Sequence, residues 1–167
     1  MSVLAPAVGA VLAAILESSV LTHLEVGGIT PDLVFAVGVA VAMVMGFESG
    51  MAWAFAGGVA LDLLLPGRAL GSTTLVLLLV TAASLLVARA LWPPRILVIG
   101  ATTFVLTFVY QVLLTALLAY TIGVAFGGLT LAGLVVAGVV NSIIAVVAVV
   151  VVRALDQRFG EPERLAW

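Results

Sequence analysis

The chain has 167 residues, 65% of them hydrophobic and 8% charged, against roughly 45–50% apolar and about 25% charged in a soluble domain. At about 20 residues per membrane span, this length allows six or so helices and leaves almost no room for a soluble domain. Six arginines without lysine, set against eight carboxylates, cannot form a surface basic enough for nucleic acid, and zero cysteines with one histidine exclude disulfides, thiolate metal sites and thiol catalysis.

In chain order, residues 3–21 form the first apolar span, interrupted only by Glu17 and Ser18-Ser19. The segment lacks the positively charged start of a secretory signal, so it is expected to be a retained helix. A polar, glycine-rich break follows, containing His23, which is expected to be a solvated loop residue. Span two covers 33–45 and is introduced by Thr30-Pro31-Asp32. There Thr30 can cap, proline suits the first turn and the aspartate favours the positive end of the helix dipole.

Span three, 51–65, follows after Gly46-Phe47-Glu48-Ser49-Gly50, read as a tight turn that makes spans two and three antiparallel. Both are short: fifteen residues reach about 22 Å against a hydrocarbon core of about 30 Å. Either flanking residues complete the crossing or the pair is a re-entrant hairpin shielded by the longer helices. Span four, 72–91, stops at Trp92-Pro93-Pro94-Arg95, where the prolines end the helix and the tryptophan suits the interface. Span five is 96–122 and span six 129–152, leaving a charged tail over 153–167 that begins as a short helical extension.

The expected architecture is therefore an all-α integral membrane protein, one domain over 1–167 forming a six-helix bundle. Arginine placement sets its orientation. With the N-terminus cytoplasmic, Arg89, Arg95, Arg153, Arg158 and Arg164 fall on the cytoplasmic side and only Arg68 outside, which favours N-in and C-in.

Polar residues within the spans are the candidate functional groups. A carboxylate at the centre of a lipid-exposed helix costs about 2.5–3.5 kcal/mol, so Asp62 must face protein or lie near a boundary. Arg68, six residues on across a Pro-Gly turn, is its natural partner in an interfacial pair. A contact to another protein or a proton or substrate site are the alternatives. Glu17 is read as a boundary residue in preference to a member of a carboxylate pair.

Gly50, Ala54, Gly58 and Asp62 recur every four residues and form a small-residue ridge suited to close helix crossing. The ridge is expected to pack within the chain, with a partner helix as the alternative. Gly133, Ala137, Gly138 and Asn141-Ser142 of span six offer a complementary surface. Tyr110, Gln111 and Asn141 read as hydrogen-bonding links between helices.

From Thr30 to Leu75 the chain resembles the MreD family, the small membrane subunit of the bacterial rod-shape system. The resemblance is carried by Pro31-Asp32-Leu33, Gly46 and Gly50, Phe55-Ala56-Gly57-Gly58, Leu61-Asp62-Leu63 and the Leu70-Gly71 that opens span four. Ala56 and Ala60 stand where bulkier residues are expected, and spans five and six carry no residue of the pattern. The resemblance implies a non-enzymatic, multi-pass protein of the bacterial cytoplasmic (inner) membrane, with no catalytic, metal or cofactor residues. It would bind the bitopic membrane protein MreC and help regulate the glycosyltransferase and transpeptidase of peptidoglycan synthesis. The candidates for partner contact or structural roles are Asp32, Gly50, Gly58, Asp62, Arg68 and Gly71, with Glu17, Gln111 and Asn141 secondary. The family is also similar in layout to the substrate-binding S-components of energy-coupling-factor vitamin transporters, which supplies the alternative function.

Overall fold

Peptide groups in lipid have no water to bond to, so apolar runs of this length close their hydrogen bonds within helices. A computed structural model describes residues 3–19, 30–67, 69–91, 93, 95–123 and 130–159, the side chains of 155–159 excepted. Six α-helices occur among these: α1 (Leu4–Ser19), α2 (Leu33–Met45), α3 (Phe47–Leu64), α4 (Ser72–Ala90), α5 (Ile96–Ile122) and α6 (Leu131–Phe159). The fold is an all-α bundle, and α4, α5 and the Leu131–Ala154 part of α6 are each long and apolar enough to cross a membrane. The chain is a membrane protein.

Its centre is α2. The thirteen apolar residues of α2 reach only about 20 Å, too short for the hydrocarbon core, so its end groups need protein around them; Val34, Ala36, Ala40 and Met43 are fully buried. This helix touches all five others. The others follow one another around it in the order α1, α3, α4, α5, α6, and the ring does not close, because α6 and α1 share no contact among the described residues. At this opening Leu33, Val37 and Met45 of α2 are only half-buried. Below it lies an apolar cleft of about 150 Å³ lined by Gly9, Val41, Met45, Trp53 and Val152. Asp32 meets Asn141 at one end of α2, and Val41 and Met45 share a cleft with Val152 near the other, so α2 and α6 run in the same direction.

The helix limits match the sequence reading at α2 and α5 and depart from it elsewhere for local reasons. The segment 46–50 is not a five-residue turn: α3 begins at Phe47, and Gly46 alone, at φ +88°, reverses the chain. A single residue suffices because glycine enters the left-handed region without a Cβ penalty. At the start of α6, Thr130 Oγ1 accepts the Gly133 N–H at 3.2 Å, which caps the helix at Leu131; its far end continues to Phe159, through the expected extension.

The small residues set how closely these helices approach. A Cβ on Gly58 would lie 2.4 Å from Thr74 Cα, and one on Gly50 would lie 2.8 Å from Ala42 Cα. The ridge Gly50, Ala54, Gly58 and Asp62 therefore packs within the chain, against α4 and α2. Its expected complement on span six is wrong: α3 and α6 do not touch among the described residues, because α2 lies between them. Gly138 instead seats the Phe104 ring of α5, and the Ser142 hydroxyl bridges the seam, 2.6 Å from the Gly138 carbonyl and 3.0 Å from that of Gly100.

Candidate functional site

The first four amides of any helix lack an intrahelical acceptor, and in a bilayer that deficit must be met by protein. Here a carboxylate from the preceding helix meets it twice. Asp62, near the end of α3 and 5% exposed, faces the start of α4. Its Oδ1 accepts the Thr73 N–H at 2.9 Å, while its Oδ2 accepts the Gly71 N–H at 3.0 Å, the Thr74 N–H at 3.1 Å and the Thr74 hydroxyl at 2.8 Å. Gly71 holds φ +90°, and that left-handed conformation turns its N–H toward the carboxylate with those of the first turn. The Ser72 hydroxyl is directed to the Ala69 carbonyl at 2.6 Å. Negative charge at this position also complements the helix dipole. Arg68, the expected ionic partner of Asp62, lies outside the described residues; the contacts that anchor Asp62 are the amides of α4.

Glu17 repeats the arrangement one hairpin earlier. It is 6% exposed, two residues before the end of α1, and its Oε2 accepts the Val34 N–H of α2 at 2.8 Å. Val34 is further held through its carbonyl, which accepts the Trp53 Nε1–H at 2.9 Å. That indole lies between two glycines, where a Cβ on Gly9 would be 3.0 Å and one on Gly38 2.9 Å from its ring carbons. Capping from Thr30 does not occur: Asp32 is the N-cap residue of α2, and neither residue's side chain bonds the helix amides.

The Asp32 side chain makes no cap bond to α2, one of whose first amides Glu17 accepts instead. Gln111 Nε2–H donates to Asp32 Oδ2 at 2.8 Å, and the Asp32 N–H donates to Asn141 Oδ1 at 3.1 Å. Asn141, fully buried, also places its Nδ2 3.5 Å from Thr107 Oγ1, whose own proton goes to the Thr103 carbonyl at 2.8 Å. Thus α2, α5 and α6 are joined at one buried polar point. Beside it Phe35 stacks on Tyr110, ring centroids 4.8 Å apart. Gln111 is eleven residues before the end of α5 and Asn141 ten after the start of α6, which puts this point about 15 Å along each helix from those ends.

The structure therefore brings Asp32, Gln111 and Asn141 together in one cluster with Glu17 at its edge, and Asp62 with Gly71 in another. Gly50 and Gly58 serve the packing of α3. His23 and Trp92 lie outside the described residues. Sequence reading missed Thr107 and the Thr73-Thr74 pair as members of these clusters. The signal available for the latter was Gly-Ser-Thr-Thr at 71–74, a run of small polar residues opening an apolar span.

Asn141→Ala is expected to destabilise the bundle by about 1–2 kcal/mol, since it leaves a buried Asp32 amide without its acceptor. The shift is to be read from SDS titration of the folded chain in mild detergent, and an effect below about 0.5 kcal/mol would contradict it. Comparison of the chain with family models, with curated proteins and with solved structures finds no match.

Proposed function

We propose that this chain is a non-enzymatic, multi-pass subunit of the cell-wall elongation complex of the bacterial cytoplasmic membrane. In this reading both termini are cytoplasmic, and the bundle holds a bitopic partner of the MreC type. Through that partner it influences the glycosyltransferase and transpeptidase that build peptidoglycan. The residues between Thr30 and Leu75 that resemble the MreD family supply the family reading.

The observation that carries the reading is the use made of the buried polar groups. Glu17 and Asp62 each accept amides of another helix, and Asp32, Gln111 and Asn141 tie α2 to α5 and α6. A carrier or enzyme directs such groups into a cavity where a ligand can reach them; in this bundle they fix helix positions. That role suits a subunit whose product is a rigid surface for other membrane proteins. The transporter S-component reading ranks second because it asks these same groups to converge on a ligand.

The test is co-purification. The tagged chain extracted from native membranes in mild detergent is expected to bring down an MreC-type protein in near-stoichiometric amount. Recovery without it, together with a deletion strain that stays rod-shaped, would overturn the proposal. A panel of vitamins is expected to leave thermal stability unchanged, whereas a tightly bound ligand at 100 times its Kd would add about 2.7 kcal/mol.

A further inference from the structure

The seam between α4 and α5 is apolar and open along the half that ends at the α4–α5 turn. A cleft of about 350 Å³ there is lined by Val87 and Leu91 of the α4 side and by Val98, Ala101, Thr102, Val105 and Leu106 of α5. A second cleft, at the turn itself, is lined by Leu91, Pro93, Arg95 and Val98. Leu91 and Val98 belong to both, so the two form one groove with a cationic mouth. We propose that this groove binds an anionic phospholipid, its acyl chain lying along α4 and α5 and its phosphate held by Arg95.

Three features support that occupant. The groove is aliphatic but for Thr102, and α4 and α5 touch, which leaves a furrow suited to a chain rather than to a further helix. From Arg95 to Leu106 is eleven residues of α5, about 16 Å, which matches one leaflet of a hydrocarbon core about 30 Å thick. Arg95 is exposed at the end of the groove, where a headgroup would sit, and its planar guanidinium can bond a phosphate through two N–H groups. Basic pockets between transmembrane helices select acidic headgroups in this way. Arg89 offers an internal control: exposed, in the last turn of α4, it lies two residues from both Val87 and Leu91, hence about 200° round the helix from the groove. The site is independent of the assembly reading above.

The experiment is native mass spectrometry of the full chain released from detergent micelles. The probes are phosphatidylglycerol, phosphatidylcholine with identical acyl chains, and sn-glycerol 3-phosphate. Phosphatidylglycerol adducts are expected to exceed phosphatidylcholine adducts about fivefold, the contribution of one interfacial arginine, with no adduct of glycerol phosphate. Arg95→Gln should lower phosphatidylglycerol to the phosphatidylcholine level and Arg89→Gln should leave the preference intact. Ala101→Trp, an exposed position within the groove, should reduce both lipids. Equal binding of the two lipids by the unsubstituted chain would overturn the proposal. A preference that survives Arg95→Gln, or is lost equally in Arg89→Gln, would do the same. Adducts of glycerol phosphate alone would assign the arginine to soluble phosphate, and unchanged lipid binding in Ala101→Trp would remove the acyl path.

Discussion

Asp62→Ala is expected to destabilise the folded chain by about 3 kcal/mol, the largest effect of any single polar substitution in the bundle. The carboxylate accepts three backbone amides and one hydroxyl at the start of α4, from a position 5% exposed. Loss of an N-cap in water costs about 1 kcal/mol because solvent takes over the amides. Here Thr73 and Thr74 are buried, and each unsatisfied buried donor costs about 1–3 kcal/mol, reduced by whatever the start of α4 regains on relaxing. Asp62→Asn keeps one accepting oxygen of the two and should cost about half as much. SDS titration monitored by helical circular dichroism separates the variants. If alanine and asparagine both fall within about 0.5 kcal/mol of the parent, the capping account is wrong.

Gly58→Ala is expected to cost about 2–4 kcal/mol although alanine is the better helix former. The added Cβ would lie 2.4 Å from Thr74 Cα and 3.0 Å from Thr74 N. These are backbone atoms that cannot rotate away, so α3 and α4 must separate. Separation also stretches the Asp62 cap, which lies one turn further along the same face, so the two substitutions should combine less than additively. Gly100→Ala is the matched control. Its Cβ would meet only Val146 Cγ2 at 3.3 Å, the end of a side chain that can adjust, and the variant should be neutral within about 0.5 kcal/mol. Equal losses at Gly58 and Gly100, or a gain at Gly58 as helix propensity alone would give, would overturn the interhelical-contact account.

Residues that look alike in sequence received different tasks in the fold. Glu17 and Asp62 are both carboxylates near the end of an apolar helix, yet proximity along the chain pointed to Arg68 for one and to the boundary for the other. The partners seen among the described residues, the amides of Val34 and of Gly71, Thr73 and Thr74, are backbone groups that carry no residue signature. Asp32 illustrates the converse. Its place ahead of span two was legible, but the partner of its carboxylate, Gln111, stands 79 residues away, and no local pattern links them. The interhelical role of Gln111 and Asn141 was legible because amide side chains in apolar helices have few other ways to be satisfied.

What the sequence by itself determined is the class of protein and most of its segmentation. With 65% hydrophobic residues broken by Gly46, Pro31, Gly71 and the Pro93-Pro94 pair, the chain has no course open to it in lipid other than helices between those breaks. The small-residue ridge on α3 likewise announced a close crossing. Only the tertiary structure decided which helix sits at the centre and which surfaces meet the ridge. Those outcomes depend on how six helices share one limited volume: α2, thirteen residues long and too short for the hydrocarbon core, has its end groups met by protein when it packs against the other five, and its presence there separates α3 from α6. The directions of Glu17 and Asp62 follow from the same packing, since each points to the start of the helix that follows, whereas Asp32 turns to Gln111.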